Sequence, residues 1–155
     1  MIQQSDVEFI IVGSGNRDED MRRLIKDNGM QEKVILFPMV GHDKLPDIYG
    51  SFDVFCFPTT IKAESLGLVG IEAMSCEIPC IISLVPGPSS YCNKENSIRY
   101  EAGDAHQLRD AMIELINANE EKLEVMKKNA RKTALEYDSL ITEEKFLEFF
   151  DAIIN

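Results

Sequence analysis

Three segments read in order decide the architecture: Asp53-Val54-Phe55-Cys56-Phe57-Pro58, then Gly67-Leu68-Val69-Gly70-Ile71-Glu72-Ala73-Met74-Ser75-Cys76, then Cys80-Ile81-Ile82. The first is an apolar, β-rich run stopped by proline, the profile of a buried strand. The second is long enough for a helix and apolar almost throughout. The third is a short strand after Pro79. A strand, a helix and a strand in succession form a parallel crossover unit, which is right-handed nearly without exception.

The same alternation extends outward. Upstream, Phe9-Ile10-Ile11-Val12 closes on Gly13-Ser14-Gly15 and reads as a strand buried on both faces. A helix follows, with Asn16 as its cap, Glu19 three residues on, an apolar stripe of Met21, Leu24 and Ile25, and an end at Gly29. Val34-Ile35-Leu36-Phe37 is the next strand, stopped by Pro38. Leu45, Ile48, Tyr49 and Phe52 have helical spacing across Asp43 to Ser51. Downstream, Ile98 to Tyr100 reads as an edge strand, after which only helices remain. Asp104, with Gln107 at the third position, caps one whose core face is Leu108, Ala111, Met112, Leu115 and Ile116. Asn119 opens another with Leu123, Met126, Ala130 and Ala134. A last helix from Thr142 to Ile154 carries Phe146, Phe149, Phe150 and Ile153, with part of that face expected to be unusually exposed. The fold class is α/β: a Rossmann-like parallel sheet with helices on both faces, ending in C-terminal helices, as a single domain over residues 1–155.

Composition narrows the function. The 155 residues are 45% hydrophobic and 28% charged, ordinary values for a globular chain. Sixteen Lys and Arg against 27 Asp and Glu leave a net charge of −11, which makes nucleic acid and anionic membrane poor electrostatic partners. No apolar run approaches the ~20 residues of a membrane span, and Met1 to Asp6 lack the basic and apolar stretches of a signal peptide, so a cytoplasmic location is expected. Cys56, Cys76, Cys80 and Cys92 form no C-x-x-C pair, and with only His42 and His106 beside them no zinc spacing arises. Cys56, Cys76 and Cys80 stand in apolar sequence and are expected as reduced, buried thiols.

In a doubly wound sheet the ligand crevice lies at the carboxyl ends of the strands. Gly13-Ser14-Gly15 stands at one such end, but the third glycine of a dinucleotide fingerprint would fall on Asp18, so the motif fails and a tight strand-to-helix turn remains. The strongest signal is Glu72, a lone carboxylate in a helix that is otherwise apolar from Leu66 to Met74 and is expected to be buried. Burying it unpaired costs several kcal/mol, so it either meets a cation or lines a polar cavity. An ionised carboxylate offers two acceptor oxygens, a match for the two donors of a vicinal diol such as a ribose. Glu64 precedes the same helix, where the amides of Ser65, Leu66 and Gly67 make an anion site at the positive end of the helix dipole.

Glu64 and Glu72, with seven residues between them in Glu64-Ser65-Leu66-Gly67-Leu68-Val69-Gly70-Ile71-Glu72-Ala73-Met74, resemble the donor-binding domain of the retaining GT-B glycosyltransferases of group 1. The strand ending in Gly13-Ser14-Gly15, the loop after Val34, the Asp53-to-Pro58 strand, the proline-led strand at Ile78-Pro79 and Ala102-Gly103-Asp104 stand in the family's order. The resemblance covers nearly the whole chain. It implies that Glu72 holds the ribose hydroxyls of a UDP- or GDP-sugar and that the backbone at Met39 and Val40 meets the base. It further implies that Glu64 contacts the donor sugar as the carboxylate facing the reacting centre, that Ser65, Leu66 and Gly67 meet the distal phosphate, and that Gly13 lines the crevice floor. The expected reaction is retaining transfer of a hexosyl unit to a carbohydrate or lipid-linked acceptor in polysaccharide biosynthesis, with no metal and no other cofactor. The partners are the nucleotide sugar and an N-terminal acceptor domain, which makes this chain a fragment of a two-domain enzyme, inactive alone. Peripheral membrane contact by the complete enzyme stays open. A GT-B-fold sugar-nucleotide epimerase and a non-catalytic binding module are the alternatives.

Overall fold

A computed structural model describes residues 7–154, which gather into two compact units divided between Leu45 and Pro46. The expectation for Met1 to Asp6 concerns residues outside that range.

The first unit pairs β1 (Phe9–Val12) with β2 (Val34–Phe37) in parallel, Phe9 opposite Val34 and Val12 opposite Phe37. Both strands have the bounds read from sequence. Their burial differs from the reading: Ile10 and Ile11 are each 40% exposed. The reason is that among the described residues β1 hydrogen-bonds to β2 alone, so apolar composition finds too few neighbours to cover it. Between them α1 (Asp18–Asp27) starts two residues after Asn16, which does not cap it; Arg17 holds the cap position without a side-chain bond. Asp18 Oδ1 instead accepts the Gly15 amide at 2.8 Å, closing the turn from the helix side. The chain then passes through a single 3₁₀ turn at His42–Lys44 into α2 (Leu45–Tyr49), so the one helix expected there is split in two.

The second unit is built on three parallel strands in the order β3 (Phe55–Phe57), β4 (Cys80–Leu84), β5 (Ser97–Glu101). Phe55 stands opposite Cys80, and Cys80 opposite Ser97. The expected parallel α/β architecture is therefore present, with its strands hydrogen-bonded in two sets, and β5 is the edge strand anticipated. Helices α3 (Leu68–Ser75), α4 (Pro86–Ser89) and α5 (Ala105–Ile116) pack on β4, and α6 (Glu120–Leu135) packs on α3. Fully buried Ile81 clusters in the core with Tyr100, Ala111, Leu115 and Met126. Burying such a side chain contributes about 1.5–3 kcal/mol.

Both downstream caps form. The Asp104 carboxylate accepts the amides of His106 and Gln107, and Gln107 Nε2 returns a bond to it at 3.0 Å. Those amides hold the Asp104 carboxyl below the ordinary aspartate range, Gln107 contributing most. Asn119 accepts the Lys122 amide at 2.9 Å. The helix α4 was not expected; its signal was Pro86, a residue suited to a first helical turn. The last helix, α7 (Ser139–Ile154), begins three residues early and buries nothing. Phe149 is 62% exposed, and Phe146, Phe150 and Ile153 are exposed with it, as the apolar face led one to expect. All four cysteines are free thiols, with Cys80 and Cys92 buried but Cys56 and Cys76 only half-buried.

Candidate functional site

The helix that carries Glu72 and follows Glu64 is shaped by the residue that caps it. Gly67 caps α3 in the left-handed conformation (φ 70°, ψ 57°), which costs a residue bearing a Cβ about 1–2 kcal/mol. Its carbonyl accepts a hydrogen bond from the buried Tyr91 hydroxyl at 3.0 Å. Burial first, then neighbouring acidic groups including Glu64, pushes the Tyr91 phenol up, so it remains a donor. On the other side the loop rests on α4: a Cβ at Gly87 would collide with the carbonyl oxygens of Ser65 and Glu64. Tyr91 is itself tied down through Asn96, whose fully buried amide donates to the Tyr91 carbonyl at 2.8 Å and to Thr133 Oγ1 at 2.9 Å.

This clamp fixes Glu64, Ser65, Leu66 and Gly67 ahead of the first turn of α3. Among the described residues the amides of Ser65, Leu66 and Gly67 donate to no protein acceptor. They sit at the end where the helix dipole favours an anion. Glu64 is half-buried, its own amide donating to the Ile61 carbonyl at 3.0 Å.

Glu72 lies further along α3. The helix is less buried than its composition suggested: Gly70, Ile71, Ala73 and Met74 face the core, whereas Leu68 and Val69 are exposed and Glu72 is half-buried. An apolar helix on a three-stranded sheet covers one side only, which explains the correction. Its hydrogen-bond partner is not the cation considered from sequence. The Tyr49 hydroxyl donates to Glu72 Oε2 at 3.0 Å, and among the described residues no cation is within ion-pair distance of Glu72. Tyr49 is buried, with its ring edge-on to Phe55 at 5.6 Å. Burial and the adjoining carboxylate push its phenol well above the ordinary range. Glu72 also lines a groove of about 340 Å³ with Leu68, Ile71, Ser75, Arg131 and Tyr137. The groove is open and its lining mixes apolar and polar side chains; Arg131, on its wall, donates to the Ser75 carbonyl.

Gly13, Met39 and Val40 belong to the first unit. Gly13 follows β1 and its amide donates to the Phe37 carbonyl at 3.0 Å, which sets it beside the end of β2. Met39, 71% exposed, and the half-buried Val40 follow that strand. Glu64 to Gly67 and Glu72 are the residues of the second unit that one helix brings together. Sequence reading missed Tyr49, Tyr91 and Gly87, each more than 15 residues from the group it contacts; the one available signal was a glycine between two prolines at Pro86-Gly87-Pro88.

The fold is that of the GT-B glycosyltransferases. Anabaena Alr3699/HepE in complex with UDP superposes with a TM-score of 0.86 over 96% of this chain and 42% of that one, at 18% identity. The family description of glycosyl transferases group 1 matches residues 1–133, and the chain belongs to that family. The phosphatidylinositol N-acetylglucosaminyltransferase GPI3 subunit of Saccharomyces cerevisiae is 24% identical over 135 residues, 87% of this chain and 28% of that protein. The GDP-mannose-dependent monoacylated alpha-(1-6)-phosphatidylinositol monomannoside mannosyltransferase of Corynebacterium glutamicum is 26% identical over 117 residues, 72% of this chain and 30% of its own length. The chain therefore spans less than a third of either relative. No helix among the described residues is long and apolar enough to cross a membrane.

Proposed function

We propose that this chain is the nucleotide-sugar-binding domain of a longer, cytoplasmic, retaining glycosyltransferase that moves a hexosyl unit from a UDP- or GDP-sugar to a carbohydrate or lipid-linked acceptor, within polysaccharide or glycolipid synthesis. The observation that carries it is the α3 entrance: three amides without protein acceptors at a helix N-terminus, preceded by Glu64 and followed by the half-buried Glu72. Amides so arranged favour a phosphate, and more so as charge builds on a departing diphosphate, which is stabilisation given where the transition state needs it. Glu72 accepts from the ribose hydroxyls. Glu64 faces the donor sugar and its reacting carbon. Gly13, Met39 and Val40, at the carboxyl ends of β1 and β2, contribute backbone to the crevice and the base.

Both nucleotides stay in play because one relative is named for GDP-mannose and the Anabaena structure contains UDP; the phosphatidylinositol in both relatives' names supports a lipid-linked acceptor. The reaction proceeds without a metal ion. In this reading the anion is met by the amides and the helix dipole.

Calorimetric titration of UDP and GDP, wild type beside Glu72→Gln, tests the reading. Binding of one nucleotide, weakened at least tenfold in the variant, is expected; equal binding by both proteins would overturn the ribose role. Transfer that persists in excess EDTA is the outcome expected for metal independence.

A further inference from the structure

We propose that Tyr49 is a positioning residue for nucleotide recognition, holding one oxygen of Glu72 so that the rest of the carboxylate is presented to the ribose diol. The inference rests on the ribose reading of Glu72 and adds to it the group that makes that carboxylate an organised acceptor.

Glutamate is a poor fixed acceptor by itself. Its side chain carries three torsions, and immobilising them costs up to about 2 kcal/mol on binding unless the protein has already done so. In this structure that ordering is present before any ligand arrives. The Tyr49 hydroxyl reaches Glu72 Oε2 at 3.0 Å and lies 3.4 Å from the Val69 carbonyl, one turn earlier on α3. The tyrosine has two torsions, and both are set by packing: the side chain is 6% exposed and its ring meets Phe55 at an interplanar angle of 73°. Phe55 opens β3, so the position of the hydroxyl is referred to the sheet rather than to a loop.

The arithmetic of acceptors fits. A carboxylate offers about four lone-pair sites. Tyr49 occupies one on Oε2, leaving Oε1 and the second site of Oε2 for two hydroxyl donors. The donor is also a lasting one, since burial and the neighbouring carboxylate keep the phenol protonated across any working pH. Glu72 meanwhile borders an open groove, so its ordering is not the result of close packing around the carboxylate itself.

The experiment is titration of the natural-length protein with UDP, 2′-deoxy-UDP, GDP and 2′-deoxy-GDP, for wild type, Tyr49→Phe, Glu72→Gln and the double variant, with thermal midpoints recorded alongside. Phenylalanine keeps the ring and its contact with Phe55 while removing only the hydroxyl. The expected result is a ribonucleotide affinity about fivefold to tenfold lower in Tyr49→Phe, a clearly smaller loss for the deoxynucleotide, which keeps only one of the two hydroxyls, and no further loss when Tyr49→Phe is added to Glu72→Gln. Equal weakening of both nucleotides in Tyr49→Phe would mark a merely structural role and overturn the inference. If Glu72→Gln loses the ribose preference while Tyr49→Phe keeps it, the inference fails and the ribose reading stands. If Glu72→Gln keeps the full preference, or neither ribonucleotide binds the wild type, the ribose reading fails and the role of Tyr49 with it.

Discussion

Strands β1 and β4 are built from nearly interchangeable sequence, Phe9-Ile10-Ile11-Val12 and Cys80-Ile81-Ile82-Ser83, and they end in different environments. Ile81 and Ile82 are at most 1% exposed, while Ile10 and Ile11 are each 40% exposed. The difference is in their neighbours. β4 has β3 on one side and β5 on the other, with α3, α4 and α5 packed on it; β1 has β2. An apolar strand thus states a capacity for burial, and the surrounding elements decide how much of that capacity is used. The glutamate pair is carried by the better-packed unit, where α3 rests on β3 and β4.

The sharpest way to break this comparison is truncation. Ile81→Ala is expected to cost about 2–5 kcal/mol in urea unfolding, and Ile10→Ala less than half of that, because a half-exposed side chain loses little water-free contact. Equal costs would mean that the first unit is as well packed as the second. A smaller effect is expected at the clamp: Gly87→Ala should cost about 1–3 kcal/mol by pushing its Cβ against the loop at Ser65. The same variant should weaken nucleotide binding, and calorimetry that finds wild-type affinity would detach the loop from the site. At the outer helices, Asn119→Ala should cost about 1 kcal/mol through loss of the α6 cap.

Native-state hydrogen exchange extends the comparison residue by residue: amides of Ile81, Ile82 and Ser83 should outlast those of β1. The mildest effect is an acid one. The Asp104 carboxyl is held low in the folded state, so its stabilisation is complete above the ordinary carboxylate range and is lost as pH falls through the lowered value. Asp104→Asn should flatten the acid limb of the unfolding profile by lowering the neutral plateau slightly toward the acid value.

Much of this was legible in the sequence because it is local. The bounds of β1 and β2, the caps at Asp104 and Asn119 and the exposed face of α7 each follow from residues within a few positions of one another. Where reading failed, competing local chemistry or distant packing decided. Asp18 took the Gly15 amide and displaced the expected cap at Asn16. Pro86 began a one-turn helix in a stretch with no hydrophobic periodicity to announce it. Glu72 stood out as a polar residue in apolar sequence and Glu64 by its place just before the same helix, but the donor to Glu72 comes from 23 positions away and the support for Gly67 from 24. Nothing in the spacing of Tyr49 or Tyr91 encodes those meetings; they are products of the assembled sheet.

The four free thiols bear on how the protein can be watched while it works. Burial raises the Cys56 and Cys92 thiols to about 11 and also holds Cys80 well above an ordinary cysteine. Alkylating reagents attack the thiolate, so at neutral pH these three positions stay nearly silent for as long as the sheet is closed. Each lies in or beside the three-stranded unit, Cys56 on β3, Cys80 on β4 and Cys92 just ahead of β5. Mass-resolved alkylation therefore times the opening of each strand separately, a built-in clock for ligand protection that needs no added label.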